Sequence, residues 1–206
     1  MKTDVVLLSG GGMDSLVALA MMLHEFDRDS ILLMHANYGQ KAGPQEWTAV
    51  GHQARHYGLQ HPIEMLLLTL YGSRLTGGEP VKADTPHYVP NRNMILIAYA
   101  AAAAMRLDCH RVAGGWQSGD TSCPDVQPHF LGLMEHALQH ATDDWFRILA
   151  PLGPLTKYQI VGLGSDLEVP WHLTWSCFGG DEEPCGECQG CVRRELAFKR
   201  RDNNDG

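Results

Sequence analysis

Two kinds of segment alternate along the chain. Runs of apolar and β-branched residues bounded by polar or glycine positions are typical of buried strands, and four runs fit: Asp4 to Ser9, Ile31 to His35, Pro62 to Leu68, and Arg111 to Ala113. Apolar residues at helical spacing predict the helices: Asp14 to His24, Pro44 to about Tyr57, Asn93 to Arg106, one ending at Ala141, and Lys157 to Asp166. This alternation predicts an α/β fold, a parallel sheet with helices on both faces.

The remaining segments and the composition predict a single domain over residues 1–206. Tyr71 to His87 is predicted to be a loop or lid, and Asp202 to Gly206 a disordered tail. The apolar run from Met94 to Met105 is too short to span a membrane, and no secretory signal precedes the first strand, so a cytoplasmic protein is expected. The formal net charge of −8 argues against a nucleic-acid partner. The basic cluster of Arg193, Arg194 and Lys199 to Arg201 is interpreted as a solvated helix face.

A glycine-rich segment joins the first predicted strand to the first helix: Leu8-Ser9-Gly10-Gly11-Gly12-Met13-Asp14-Ser15. Glycines there let backbone N–H groups turn around an anion, and the helix N-terminus adds a favourable dipole. Asp14 and Ser15 can cap the helix, or hold magnesium and phosphate. The Walker A lysine is absent, and Ser15 replaces the third glycine of a dinucleotide fingerprint. The segment is predicted to bind nucleotide phosphates, with a glycine turn lacking a ligand as the alternative.

Four of the six cysteines crowd into a short C-terminal segment: Cys177, Cys185, Cys188 and Cys191. Four thiolates at this spacing match tetrahedral zinc, and an all-cysteine site is structural because it leaves no open position. An iron–sulfur cluster and disulfides are the alternatives. Cys109 is predicted to be a small buried residue. Cys123 lies in a candidate substrate loop, where a catalytic thiol is the alternative interpretation.

Several motifs, in order, resemble those of the 7-cyano-7-deazaguanine synthase (QueC) family of PP-loop ATP pyrophosphatases. The glycine-rich segment is similar to the Ser-Gly-Gly-x-Asp-Ser pyrophosphate loop. The further motifs are Tyr38-Gly39-Gln40, Val89-Pro90-Asn91-Arg92-Asn93, Pro124-Asp125, and Trp175-Ser176-Cys177 before Cys-Gly-x-Cys-x-x-Cys. The resemblance extends from Val5 to Phe198. It implies a Rossmann-like fold of the PP-loop (HUP) type, with a zinc knuckle within residues 175–198.

The resemblance also implies an activity, an ATP-dependent carbon–nitrogen ligase that forms AMP and pyrophosphate in queuosine biosynthesis. ATP adenylates 7-carboxy-7-deazaguanine, ammonia displaces AMP to give the amide, and a second ATP activates the amide for dehydration to the nitrile. The expected cofactors are structural Zn²⁺ and Mg²⁺ with ATP, and the expected assembly is a homodimer.

Particular residues take roles from the resemblance. Asp14, Ser15, Lys157 and Arg92 are the expected catalytic residues. ATP is expected to contact the loop from Leu8 to Ser15 and also Gln40. The deazapurine is expected to contact Arg92, Trp116 and Asp125. The alternatives are a surface lysine at Lys157, a structural salt bridge at Arg92 and a helix N-cap at Asp125.

The chain departs from the family pattern at two places. Aligned on Asp14 and Ser15, the leading serine of the loop falls on Gly10, so Ser9 is the candidate to supply that hydroxyl. In the substrate loop Cys123 replaces a tyrosine, and Trp116 is the candidate stacking face. These departures also fit a relative that transfers the activated acyl group to another amine, such as a protein's. A tRNA thiolation enzyme and a non-catalytic nucleotide-binding module are the further alternatives.

Overall fold

The computed structural model describes residues 2–59, 64–67, 70, 73, 75–77, 88–119 and 123–202. Strands alternate with helices along this chain. The strands are β1 (Val5–Leu8), β2 (Ile31–Asn37), β3 (Glu64–Leu67), β4 (Arg111–Gly114) and β5 (Arg147–Leu149). The α-helices are α1 (Met13–Glu25), α2 (Gly43–His56), α3 (Arg92–Arg106), α4 (Pro128–Thr142), α5 (Lys157–Asp166) and α6 (Gln189–Asp202).

The five strands form one parallel sheet in the order β3-β2-β1-β4-β5. The chain therefore builds outward from β1 on one side, returns across the sheet through α3, and builds outward on the other side. Neighbouring connections diverge between β1 and β4. In open parallel sheets ligands bind outside the carboxyl ends of the strands at such a switch point.

The core lies on both faces of the sheet, and alternate residues of β1 show the division. Val5 and Leu7 pack with α1, α2 and α5 on one face, whereas Val6 packs with α3 and α4 on the other. All three side chains are fully buried. Strands covered on both faces read as continuous apolar runs, and this explains why the strands were recognisable in the sequence.

The predicted α/β fold is confirmed, with one strand missed. β5 is only three residues long and begins with the exposed Arg147, so it carries no periodic signal. Phe146, just before it, is fully buried and fixes the strand against the core. The predicted disordered tail began at Asp202, but this residue is the last one of α6. Residues 203–206 of that tail and most of the predicted lid from Tyr71 to His87 lie outside the described residues. Within the described residues, no helix combines the length and apolar character of a membrane span.

Candidate nucleotide and substrate site

The glycine-rich loop lies at the carboxyl end of β1, where the chain turns into α1 with Gly12 as the N-cap residue. Gly11 adopts φ +71°, and a Cβ there would lie 2.7 Å from the carbonyl oxygen of Glu46. Only glycine fits this position without strain. A Cβ on Gly10 would meet nothing within 4 Å. The loop is therefore pressed against α2 at Gly11 and open at Gly10.

A cleft of about 340 Å³ opens above this loop at the switch point between β1 and β4. Its floor comes from the loop, from the end of β2 and from the segment after β4. Its walls come from the starts of α3, α5 and α6, and from the segment before the cysteines. Among the residues assigned from sequence, the cleft is lined by Leu8, Ser9, Gly10, Gly12, Met13, Asp14, Ser15, Arg92, Trp116 and Lys157.

Lys157 reaches the loop from a distant part of the chain. Its Nζ lies 2.6 Å from Oδ1 of Asp14, and both side chains stay partly exposed to the cleft. Lys157 is the first residue of α5, and a capping box between Thr156 and Gln159 fixes that helix start. A partly exposed ion pair adds little to stability. Its consequence is local, because it places a cation beside the proposed phosphate loop.

A second group of polar side chains in the cleft lies around Arg92. Its Nη1 donates to the hydroxyl oxygen of Tyr38 at 3.0 Å. Burial raises the pKa of Tyr38, so the hydroxyl keeps its proton and can donate in turn. Burial also raises the pKa of Glu46, although Gln40 donates to Oε2 of that carboxylate at 2.8 Å and Arg92 carries an opposing charge. The Arg92 guanidinium can pair with an anion, and Tyr38 and Glu46 can form hydrogen bonds with a ligand.

Three residues assigned from sequence do not line the cleft: Gly11, Gln40 and Asp125. Gln40 is buried, and its amide bonds Glu46, the carbonyl of Ala36 and the N–H of Tyr38, so it supports the lining residues. Asp125 is also buried, and its carboxylate accepts from the backbone N and the Nδ2 of Asn93 at 2.8 and 3.1 Å. Asp125 therefore accepts from the first turn of α3, whose N-cap residue is Asn91, and it does not line the cleft.

Trp116 does line the cleft, as expected of a stacking face. It is 8% exposed, and its ring lies so close to Gly114 that a Cβ there would be 2.6 Å from it. Cys109 is buried as predicted, and Cys123 is buried beside the cleft without lining it.

Sequence analysis missed the contribution of the C-terminal segment to the cleft. Trp175, Ser176, Phe178, Gly190 and Arg193 line it. The signal available was their position, since all flank the cysteines that bring the segment back to the sheet.

The interpretation of the basic cluster as a solvated face is wrong for Arg194. This side chain is partly buried and donates to the carbonyl of Trp171 at 2.9 Å and to the hydroxyl of Thr174. Arg193 is exposed but faces the cleft. Lys199 is exposed and pairs with Glu195 along α6, as a solvated face requires. α6 thus joins the cleft at its start and faces solvent further on.

The four C-terminal cysteines form a cluster that fits a metal ion. Their sulfur atoms all lie within 4.8 Å of one another, and four of the Sγ–Sγ separations are 3.5, 3.7, 3.9 and 4.0 Å. A tetrahedral ion about 2.3 Å from each sulfur requires separations of about 3.8 Å. Backbone N–H groups of Phe178, Gly179, Cys185 and Cys188 donate to the sulfurs at 3.3 to 3.4 Å. Burial acts against ionisation of Cys185, but such donors outweigh it and lower its pKa to about 7.

The fold and the cleft define a class. A glycine-rich loop after the first strand of a parallel sheet, facing a lysine at the start of a late helix, is the arrangement of the PP-loop nucleotide-binding proteins. Among solved structures, NMN synthetase from Francisella tularensis shares this fold, with a TM-score of 0.53 and 14% identity over 98% of this chain and 78% of that one.

The family follows from sequence comparison. The protein-family model described as "Queuosine biosynthesis protein QueC" matches residues 3–202, and the chain belongs to this family. It is 36% identical to the 7-cyano-7-deazaguanine synthase of Desulforudis audaxviator, with 94% of each chain aligned. It is 32% identical to the synthase of Methanothermobacter thermautotrophicus, over 94% of this chain and 93% of that one. These relatives confirm the family resemblance and do not favour the alternatives.

Proposed function

We propose that the protein is a 7-cyano-7-deazaguanine synthase, an ATP-dependent carbon–nitrogen ligase. The observation that carries the proposal is that the glycine-rich loop, Lys157 and the polar group around Arg92 line the same cleft. Lys157 and the loop amides suit the phosphates of ATP, and Arg92 suits the carboxylate of the deazapurine. Relatives named for this reaction align over nearly the whole chain.

The first step is adenylation. The substrate carboxylate attacks the α-phosphorus of ATP, forming the acyl adenylate and releasing pyrophosphate. Positioning lowers the barrier because both reactants are held in one cleft. Negative charge grows on the phosphate oxygens during attack, and Lys157 with the loop N–H groups offsets it.

The following steps use the acyl adenylate. Ammonia adds to the acyl carbon and displaces AMP, giving the amide and releasing a proton. A second ATP activates the amide oxygen with loss of pyrophosphate, and loss of AMP and of the two amide protons then leaves the nitrile. Trp116 stacks on the deazapurine, and the Tyr38 hydroxyl and the Glu46 carboxyl are placed to meet its polar edge. Asp125 is kept as a candidate for that edge, acting through the start of α3.

Two metal ions belong to the proposal. Asp14 and Ser15 would hold Mg²⁺, which prefers oxygen ligands and neutralises phosphate charge when bound with ATP. Cys177, Cys185, Cys188 and Cys191 would hold Zn²⁺, because four sulfurs at tetrahedral spacing leave no open position. The zinc is structural, and metal analysis of the purified protein tests its identity: one zinc per chain supports it, and iron with inorganic sulfide would replace it by a cluster.

A homodimer is also part of the proposal, and the outer face of α3 supports it. Met94 is 45% exposed, Ile95 37% and Tyr99 47% on this face. Contiguous exposed apolar side chains on one helix are typical of interaction surfaces. Light scattering after size exclusion tests the assembly: Tyr99→Glu should shift a dimer to monomer, while Leu196→Glu, on α6, should leave it intact.

The activity is tested with MgATP, 7-carboxy-7-deazaguanine and an ammonium salt, followed by mass spectrometry. AMP, pyrophosphate and the nitrile together are the expected products. AMP with only the adenylate or amide would mean that activation occurs but that another amine, such as a protein's, is the acceptor. Absence of AMP from folded, metal-loaded protein would overturn the proposal.

A further inference from the structure

Two backbone carbonyl groups of the glycine-rich loop form hydrogen bonds with buried side chains outside the cleft. The carbonyl of Ser9 lies 2.9 Å from Nδ1 of His35, on β2. The carbonyl of Gly11 accepts from Nε2 of Gln53, on α2, at 2.9 Å, and from the backbone N–H of Trp175 at 3.0 Å. His35 is 1% exposed and Gln53 is fully buried. Neither lines the cleft.

Holding a carbonyl also aims the N–H that follows it. The peptide unit is planar and trans, so its C=O and N–H point in opposite directions. Fixing the Ser9 carbonyl towards His35 therefore turns the N–H of Gly10 the other way, and fixing the Gly11 carbonyl does the same for Gly12. Gly10 and Gly12 line the cleft, whereas Gly11 does not. The N–H of Gly11 is already occupied, since it donates to Oγ of Ser9 at 3.3 Å.

The hydrogens available on both side chains allow them to donate to these carbonyl groups. A carbonyl only accepts, so Nδ1 of His35 must carry the hydrogen, and burial lowers the pKa of His35 so that the ring stays neutral. Nε2 of Gln53 uses its second hydrogen on the carbonyl of Leu173 at 3.0 Å. The acceptor atoms Nε2 of His35 and Oε1 of Gln53 are buried and have no hydrogen-bond partner among the described residues. Both side chains thus serve as donors to the backbone.

We propose that His35 and Gln53 are positioning residues that aim the N–H groups of Gly10 and Gly12 at the polyphosphate of the bound nucleotide. Gly10 stands where related loops carry a serine, so oriented backbone donors replace a side-chain hydroxyl at this point. The inference rests on the proposed function, because it requires that the loop binds the β- and γ-phosphates of ATP. Gln53 further links the loop to the segment that carries the cysteines, through Leu173.

The test compares ATP with AMP, which lacks the phosphates that the loop would hold. Dissociation constants for MgATP and AMP are measured by calorimetry for the wild type, His35→Leu and Gln53→Met. Hydrogen bonds to charged groups contribute roughly 1.5–3 kcal/mol, so a misdirected donor should weaken ATP binding about tenfold. AMP binding should not change. His35→Asn, whose side-chain amide can donate in place of Nδ1, should restore ATP affinity.

A control separates positioning from general stability. Gln139 makes the same kind of bond, from Nε2 to the carbonyl of Phe146 at 2.9 Å, but between α4 and β5, away from the cleft. Gln139→Met should leave both affinities unchanged. Equal losses of ATP and AMP affinity in the two loop variants, or no loss of either, would overturn the inference. Failure of the wild type to bind ATP would instead overturn the proposed function. Should one loop variant fail to fold, as judged by its thermal transition, the other decides by itself.

Discussion

The lining of the cleft combines two kinds of group. Around the glycine loop the candidate ligands are mainly backbone N–H groups, supplemented by Lys157 and Asp14. The other candidate ligands are the side chains of Tyr38, Glu46, Arg92 and Trp116, which come from four separate segments. A backbone site is encoded by a short run of glycines, whereas a side-chain site exists only after the sheet has assembled. The two groups should therefore respond differently to substitution.

The largest effect is expected from Lys157→Ala. Removing the Lys157 cation leaves part of the charge of the adenylation transition state uncompensated, and such losses typically lower kcat by about 10²–10³. The rate of AMP formation at saturating substrates measures this. Lys199→Ala, which removes an exposed lysine on α6, is the matched control and should retain the wild-type rate. Equal rates for the two variants would remove Lys157 from the catalytic residues.

The second effect compares two neighbouring glycines. Gly11→Ala forces a side chain into a left-handed conformation that costs roughly 1–2 kcal/mol, and it adds a clash with the Glu46 carbonyl. ATP affinity and the free energy of unfolding in urea should both fall. Gly10→Ala places a methyl in open space, so its free energy of unfolding should match the wild type. Equal losses in both variants would contradict the loop geometry.

The third effect concerns Arg92. Arg92→Met removes the cation expected to pair with the substrate carboxylate, so KM for the deazapurine should rise about tenfold or more. The ATP dissociation constant should stay within twofold of the wild type. Arg92→Lys keeps the charge but loses the forked geometry, and it should recover only part of the loss. A rise in the ATP constant alone would place Arg92 at the nucleotide.

The smallest effect is a dependence of stability on pH. Burial raises the pKa of Glu46, so the folded protein holds this proton more tightly than the unfolded chain does. The stability associated with the proton is present below the ordinary glutamate pKa of 4.5 and is lost as the pH rises through the raised value. Glu46→Gln should therefore unfold a few degrees above the wild type at pH 8, and this gap should close towards pH 4. A gap independent of pH would contradict the direction of the shift.

The contrast between local backbone signals and assembled side-chain sites also explains what the sequence could predict. The continuous apolar strands, the glycine loop and the cysteine spacing are local signals. They led to the sheet and the sulfur cluster, which the structure shows, and to the phosphate site, which stays a prediction. Tyr38 and Glu46 were missed as lining residues because nothing local distinguishes them from Gln40, which lies between them in the chain and does not line the cleft. A helix cap and a ligand carboxylate look alike in sequence, so the role of Asp125 in substrate binding stays a prediction. β5 was too short for any period to appear.

The strand order has a consequence for synthesis on the ribosome. β1 is made first yet ends in the middle of the sheet, and one of its edges waits for residues 111–114. Until those residues emerge, the nascent chain carries an open parallel edge, which is a template for association with other chains. Lys157 and Trp175 follow still later, so no incomplete chain can hold ATP as the finished protein would. The edge of β1 that pairs with β4 is therefore open before the cleft residues Lys157 and Trp175 have been made.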